Sequence, residues 1–367
     1  MDASGGAVPT EGFAHRLTPR VGVSHGAKIM SWTKIGHPTD PGDAMEPRLK
    51  PLNALVSLTM RGDVNPAVLA DAGFELAGLE VPARGGGERP QTVVVDAVLH
   101  RPRDSLIVAC ECKSGANVEA PQAGGYAALR AEDVVLSASI TLRSTASPRL
   151  EVLYVALDEH VGRIRQGLAA VDVDCPVLGV GDHMLTLHRA TAKNGEFENS
   201  WPDRSPRLHA PLAAHIPFDE NSPMSDVKKV VASVLVQAMA RRVPYVSVEW
   251  ICGEAAPHWV IYGKQRKAAL LGMIGRACRS LGEDEFRGQV LYEPRSERRQ
   301  ESLVRILATP EDLDPRGRTQ RYQAIARAAG RSRAGSTGLV IEGQYDLFDQ
   351  LGEAEVEDEV GEGEIDE

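Results

Sequence analysis

Apolar positions recur along this chain at two spacings, and the change between them outlines its elements. Over 48–61, Leu49, Leu52, Leu55, Val56 and Leu58 gather on one side of a 3.6-residue period, which predicts a helix. A second short helix is predicted over 65–72, then a strand over 74–81 and a Gly-rich loop at 83–87. Two apolar runs within 92–115 follow, joined by a polar turn at 101–105, so three successive strands predict an antiparallel meander. Pro121 suits the first position of a helix. Beyond it come a strand over 151–157 with the character of one buried on both faces, an amphipathic helix over 159–170 and a short strand over 175–180. Helix, three strands, helix, strand, helix, strand spells an α/β fold in which helices flank a mixed sheet.

The pattern then loosens. Residues 191–224 are polar and contain proline, and they read as a linker between a first unit at 45–190 and a second at 225–335. The second unit shows helices over 226–241, 247–255 and 264–281, then strands over 288–292 and 302–307 joined by a basic tip. Three helices followed by a basic hairpin are the outline of a winged helix. Residues 1–44, rich in Gly, Pro and Ser, read as an N-terminal arm, and 316–333 as a basic, partly helical segment.

Charge sharpens this division. The net charge is -10, but nine acids lie within 353–367 with no base among them, so residues 1–352 carry only -1. Residues 336–367 read as a disordered acidic tail. The segment 264–333 has sixteen Lys and Arg against nine Asp and Glu. A basic segment beside an acidic tail suits a nucleic-acid binder, and equally a solvated face with a solubilising tail. Lys264, Arg266 and Lys267 at the start of the third helix, and Arg295, Arg298 and Arg299 in the hairpin tip, are the candidate phosphate contacts. The five cysteines (Cys110, Cys112, Cys175, Cys252 and Cys278) are odd in number and form no C-x-x-C pair. They read as free thiols in a reducing cytoplasm, in line with an N-terminus lacking a secretion signal and a sequence without an apolar membrane span. The histidines show no zinc-ligand spacing.

The chemistry lies in the two central strands. Asp96 interrupts one apolar run, and Glu111 and Lys113 end the other. Two residues apart on one strand, Glu111 and Lys113 project from the same face, while Cys110 and Cys112 face the other way as small hydrophobes. Two buried carboxylates repel each other, and a divalent cation with hard oxygen ligands turns that repulsion into attraction. Mg²⁺ fits best, held by Asp96, Glu111 and the backbone carbonyl of Cys112, with Mn²⁺ able to substitute. The plainer reading is an edge strand with a surface Glu–Lys pair and a half-exposed aspartate.

Asp96 and Glu111-Cys112-Lys113, in a strand-turn-strand setting and followed by Gln122-Ala123-Gly124-Gly125-Tyr126, resemble the PD-(D/E)xK phosphodiesterase superfamily, in its RecB-like branch with a Q-x-x-x-Y motif. The likeness covers roughly 48–180. It implies a restriction-endonuclease-like nuclease domain at 45–190 and a Mg²⁺-dependent DNA endonuclease serving restriction, phage defence or repair. Asp96, Glu111, Lys113, Gln122 and Tyr126 would be its catalytic residues. Relatives often add an acid from the first helix, for which Glu46 is the positional candidate and Glu75 another. Val95 stands where the superfamily's name has proline. A non-catalytic DNA-binding protein on the same scaffold and an RNA nuclease are the alternatives. Double-strand cutting would call for a dimer with two sites, and the expected partners are DNA and either a second copy in a homodimer or a separate partner protein.

Overall fold

The computed structural model describes residues 45–307, except 87–90, 143–146, 192–194 and 298, together with residue 320. The N-terminal arm, the basic segment at 316–333 apart from residue 320, and the acidic tail lie outside the described residues, as does Arg298.

A 3-10 turn at Pro47–Leu49 leads into α1 (Lys50–Leu58), and α2 (Val68–Asp71) follows. Three strands come next, β1 (Glu75–Arg84), β2 (Thr92–Arg101) and β3 (Leu106–Lys113). Helices α3 (Ala120–Ala127) and α4 (Ala131–Ser137) cross to β4 (Arg149–Leu157), and α5 (Asp158–Ala170) crosses to β5 (Val177–Val180), beside which β6 (Leu185–His188) turns back. The six strands lie in sequence order in one sheet. β3, β4 and β5 run parallel and the other pairings are antiparallel. The fold is therefore a mixed six-stranded sheet flanked by helices.

The two faces are covered differently. α3, α4 and α5 bury one face through residues such as Tyr126, Val134 and Ile164. Against the other lie α1 and the remainder of the chain: α6 (Glu196–Ser200), α7 (Met224–Ala240), β7 (Tyr245–Ser247), α8 (Val248–Ala255), α9 (Lys264–Glu283), β8 (Val290–Glu293) and β9 (Leu303–Ile306). The last three strands form a small antiparallel sheet in the order β7-β9-β8. β7 is absent from the sequence reading, where three residues are too few to show a period.

The region read as a polar linker is built into the core. Phe197, Trp201, Ile216 and Phe218 are buried there. The buried Asn53 of α1 fixes the connection, donating to the Ile216 carbonyl at 3.1 Å and accepting from the Ile216 N–H at 2.7 Å. One apolar cluster runs from Leu55 in α1 through Leu99 and Val108 in the sheet to Leu235, Ile274 and Val304 in the C-terminal unit. Among the described residues this cluster is continuous across the two units. The linker fails as a linker because a few large apolar side chains, spaced without a period, anchor it.

Candidate functional site

The site lies where β2 and β3 part. Their last paired residues are Ala97 and Cys110. Beyond that point β3 stays with β4, through Glu111–Tyr154 and Lys113–Ala156, while β2 stays with β1. One residue past the end of the ladder, Asp96 and Glu111 face each other across the opening. The Cys112 N–H, left without a strand partner on this side, donates to the Asp96 carboxylate at 2.7 Å.

Glu111 is only 3 % exposed, and its Oε1 pairs with Lys113 Nζ at 2.9 Å. Lys113 Nζ also donates to Gln122 Oε1 at 2.6 Å. The Tyr126 hydroxyl donates toward the backbone carbonyls of Val94 at 3.2 Å and Cys110 at 3.4 Å, tying α3 to both diverging strands. Gln122 and Tyr126 are one helical turn apart, so one face of α3 serves both contacts. Gly125 permits the approach, since a Cβ there would stand 2.5 Å from the Val93 side chain; Gly124 faces open space. Asp96, Glu111, Lys113, Gln122 and Tyr126 thus converge.

Burial, and after it the Glu111 carboxylate, hold the Asp96 carboxyl well above the usual carboxylate range, with the Cys112 N–H pulling the other way. Burial and then the Asp96 carboxylate push the Tyr126 hydroxyl up, so it stays protonated. Burial likewise pushes up the Cys110 and Cys112 thiols, which makes them poor nucleophiles.

Two buried polar atoms near the opening have no hydrogen-bond partner among the described residues, Glu111 Oε2 and Tyr154 Oη. Glu111 and Tyr154 are paired across β3 and β4. An unpartnered carboxylate oxygen of this kind, facing a second carboxylate, fits a hard cation. However, among the described residues no group of three or more His, Cys, Asp or Glu side chains gathers closely enough to hold one. Glu46 does not join the pair: its carboxylate binds Arg48 at 2.7 Å, and Arg48 also holds Asp219. Glu75 is turned to His100 at 3.2 Å.

One carboxylate missed by the sequence reading does stand here. Glu80 lies between Leu79 and Val81, which pair with Ala97 and Val95, so on β1 it stands opposite Asp96 of β2 in register. Its φ of 51° is left-handed, which is rare for a non-glycine residue in a strand. Leu79 and Ala97 belong to one core cluster, Val81 and Val95 to the other. Residues two apart in a regular strand share a face, so both strands turn over at Glu80 and Asp96. Burial raises the Glu80 carboxyl, Arg266 opposes the rise, and Glu220 and Glu111 add to it. No sequence period signals a turnover of this kind.

The basic residues split. Lys264 is exposed at the start of α9, and Lys267 is half-buried, donating to the Val260 carbonyl at 2.8 Å with its ammonium over Trp259. Arg266 corrects the sequence reading: its side chain is 4 % exposed and turned inward, pairing with Glu220 at 2.9 Å and Glu80 at 3.7 Å, so in this arrangement it meets no phosphate. Arg295 is exposed and Arg299 is paired with Glu293 at 2.6 Å. Arg295 borders a groove of about 400 Å³ between α8, α9 and the hairpin, together with Arg276 and Arg279, which the sequence reading did not single out. Arg279 lies over the Tyr292 ring at 5.2 Å.

Comparison with protein-family models, curated proteins and solved structures found no match to this chain. Among the described residues, no helix is long and apolar enough to cross a membrane.

Proposed function

We propose that this chain is a Mg²⁺-dependent deoxyribonuclease with a restriction-endonuclease-like catalytic unit and a winged-helix-like DNA-docking unit. The observation that carries the reading is Lys113, fastened between Glu111 and Gln122 beside Asp96, at the point where two strands separate. Asp96, Glu111 and the Cys112 carbonyl would hold the cation. The cation would supply charge neutralisation and a more acidic bound water.

The protein's own residues account for the rest. Lys113 presents a fixed positive charge where negative charge grows on a phosphoryl oxygen during attack by water, and such preorganised charge is commonly the largest catalytic contribution. Gln122 fixes the direction of the ammonium. Tyr126, protonated and buried, keeps α3 on the diverging strands, and so keeps Gln122 in place. The C-terminal unit has the element order and the β7-β9-β8 strand order that suit a winged helix, with Arg276, Arg279 and Arg295 at its groove to meet a DNA backbone.

The test uses plasmid DNA and structured RNA incubated with the full chain in Mg²⁺, Mn²⁺ or chelator. The expected result is metal-dependent cleavage of DNA, reduced about 10²-fold or more in Lys113→Ala. Cleavage of RNA alone would change the substrate, and cleavage unaffected by chelator or by Lys113→Ala would overturn the reading. One observation favours a second reading, a DNA-binding protein without catalysis: among the described residues no group of three or more His, Cys, Asp or Glu side chains gathers closely enough to hold a cation. Binding of intact DNA under every metal condition would establish it.

A further inference from the structure

The C-terminal unit reaches the acidic opening through the start of α9. The Gly263 N–H donates to the Leu79 carbonyl at 2.9 Å, and a Cβ on Gly263 would collide with the Glu80 carbonyl oxygen. One turn into α9, Arg266 extends to Glu80, the residue with left-handed backbone that stands across from Asp96. Arg266 is held unequally. Glu220 takes one guanidinium nitrogen at 2.9 Å, Glu80 stands at 3.7 Å from another, and Arg266 Nε is buried without a partner among the described residues. The Glu80 carboxylate is thus close to Asp96 in register, about a quarter exposed and only loosely engaged.

We propose that Glu80 is a third carboxylate of the acidic site, kept off the Asp96–Glu111 pair by Arg266 of the C-terminal unit. This rests on the reading of that pair as a cation site and adds a control to it. With Arg266 in place the site offers two carboxylates, as observed. When the guanidinium withdraws toward Glu220, the loose contact is the one lost, and Glu80 becomes available beside Asp96. Docking of α9 and the cation affinity of the sheet are then linked through a single ion pair. Arg266 acts as a positioning residue.

The experiment is a Mn²⁺ titration by calorimetry, without DNA, on the full chain and on Arg266→Met, Glu80→Gln and the double variant. If Glu80 is held off, Arg266→Met tightens Mn²⁺ binding about fivefold or more, and Glu80→Gln costs little alone but about tenfold in the Arg266→Met background, within the range of measured coupling between contacting residues. A plain field effect gives Glu80→Gln the same cost in both backgrounds, and that equality overturns the proposal, as does unchanged affinity in Arg266→Met. Arg266→Lys covers the case in which methionine prevents folding: the shorter cation cannot span both carboxylates, so part of the gain is expected, and no gain overturns the proposal. Asp96→Asn separates the two readings. If it binds Mn²⁺ as tightly as the natural chain, the cation site itself is wrong, whatever Glu80 does.

Discussion

Adjacent glycines in α3 have opposite duties. Gly125 stands against Val93 with no room for a Cβ, and Gly124 faces open space. Gly125→Ala is expected to destabilise by about 1–3 kcal/mol through overpacking, and to shift Gln122 away from Lys113. Gly124→Ala should stabilise by up to about 1 kcal/mol from helix propensity alone. Urea denaturation of the two variants checks both signs. Asp96 offers a second test. Its folded-state carboxyl lies well above the unfolded value, through burial first and Glu111 next. The folded protein therefore keeps a proton that the unfolded chain releases. This contribution to stability is full below the unfolded pKa and is lost as pH rises toward the raised one. In chelator, Asp96→Asn should be more stable than the natural chain at neutral pH, with the difference vanishing on acidification; denaturation curves across pH check it. The motif residues themselves were legible in the sequence, since strand alternation alone puts Glu111 and Lys113 on one face. Glu80 was not, because its place depends on which strand lies beside β2.

At the scale of elements, β1 and β2 abandon their alternation together. Because the side-chain period of a strand is two, a turnover in one strand alone would put its apolar residues on the wrong face, so the partner must turn over at the same step. This is why Val81 and Val95 face α3 and α4 while Leu79 and Ala97 face α1. The left-handed Glu80 is where β1 makes the change. The start of α9 locks onto it, so Gly263→Ala should cost about 1–3 kcal/mol by forcing Glu80 away, and it should weaken Mn²⁺ binding or strengthen it rather than leave it unchanged. Denaturation and calorimetry on the same sample check the two effects.

For the molecule as a whole, the continuous cluster from α1 to β9 decides the behaviour. A chain ended at residue 222 would bare apolar residues of the sheet face that carries Leu99 and Val108, a contiguous patch of the kind that soluble monomers rarely expose. The full chain is expected to unfold in one urea transition, with tryptophan fluorescence and far-ultraviolet circular dichroism coincident. The 1–222 fragment should bind a hydrophobic dye and lack a cooperative transition. Two separate transitions, or a folded fragment, would contradict the shared core.

What the sequence determined by itself was local. The apolar periods of three strands and their helices, the acid-x-lysine strand end and the helix bearing Gln122 and Tyr126 are all set within a few residues, where backbone geometry leaves few choices. Only the tertiary structure decided that β2 and β3 part beside Asp96, that Glu80 stands opposite Asp96 in register, that Arg266 faces inward and that the linker is core. Each of these depends on contacts between segments far apart in the chain. Periodicity states that a face is apolar or charged; which distant element meets it is settled only when the whole chain packs.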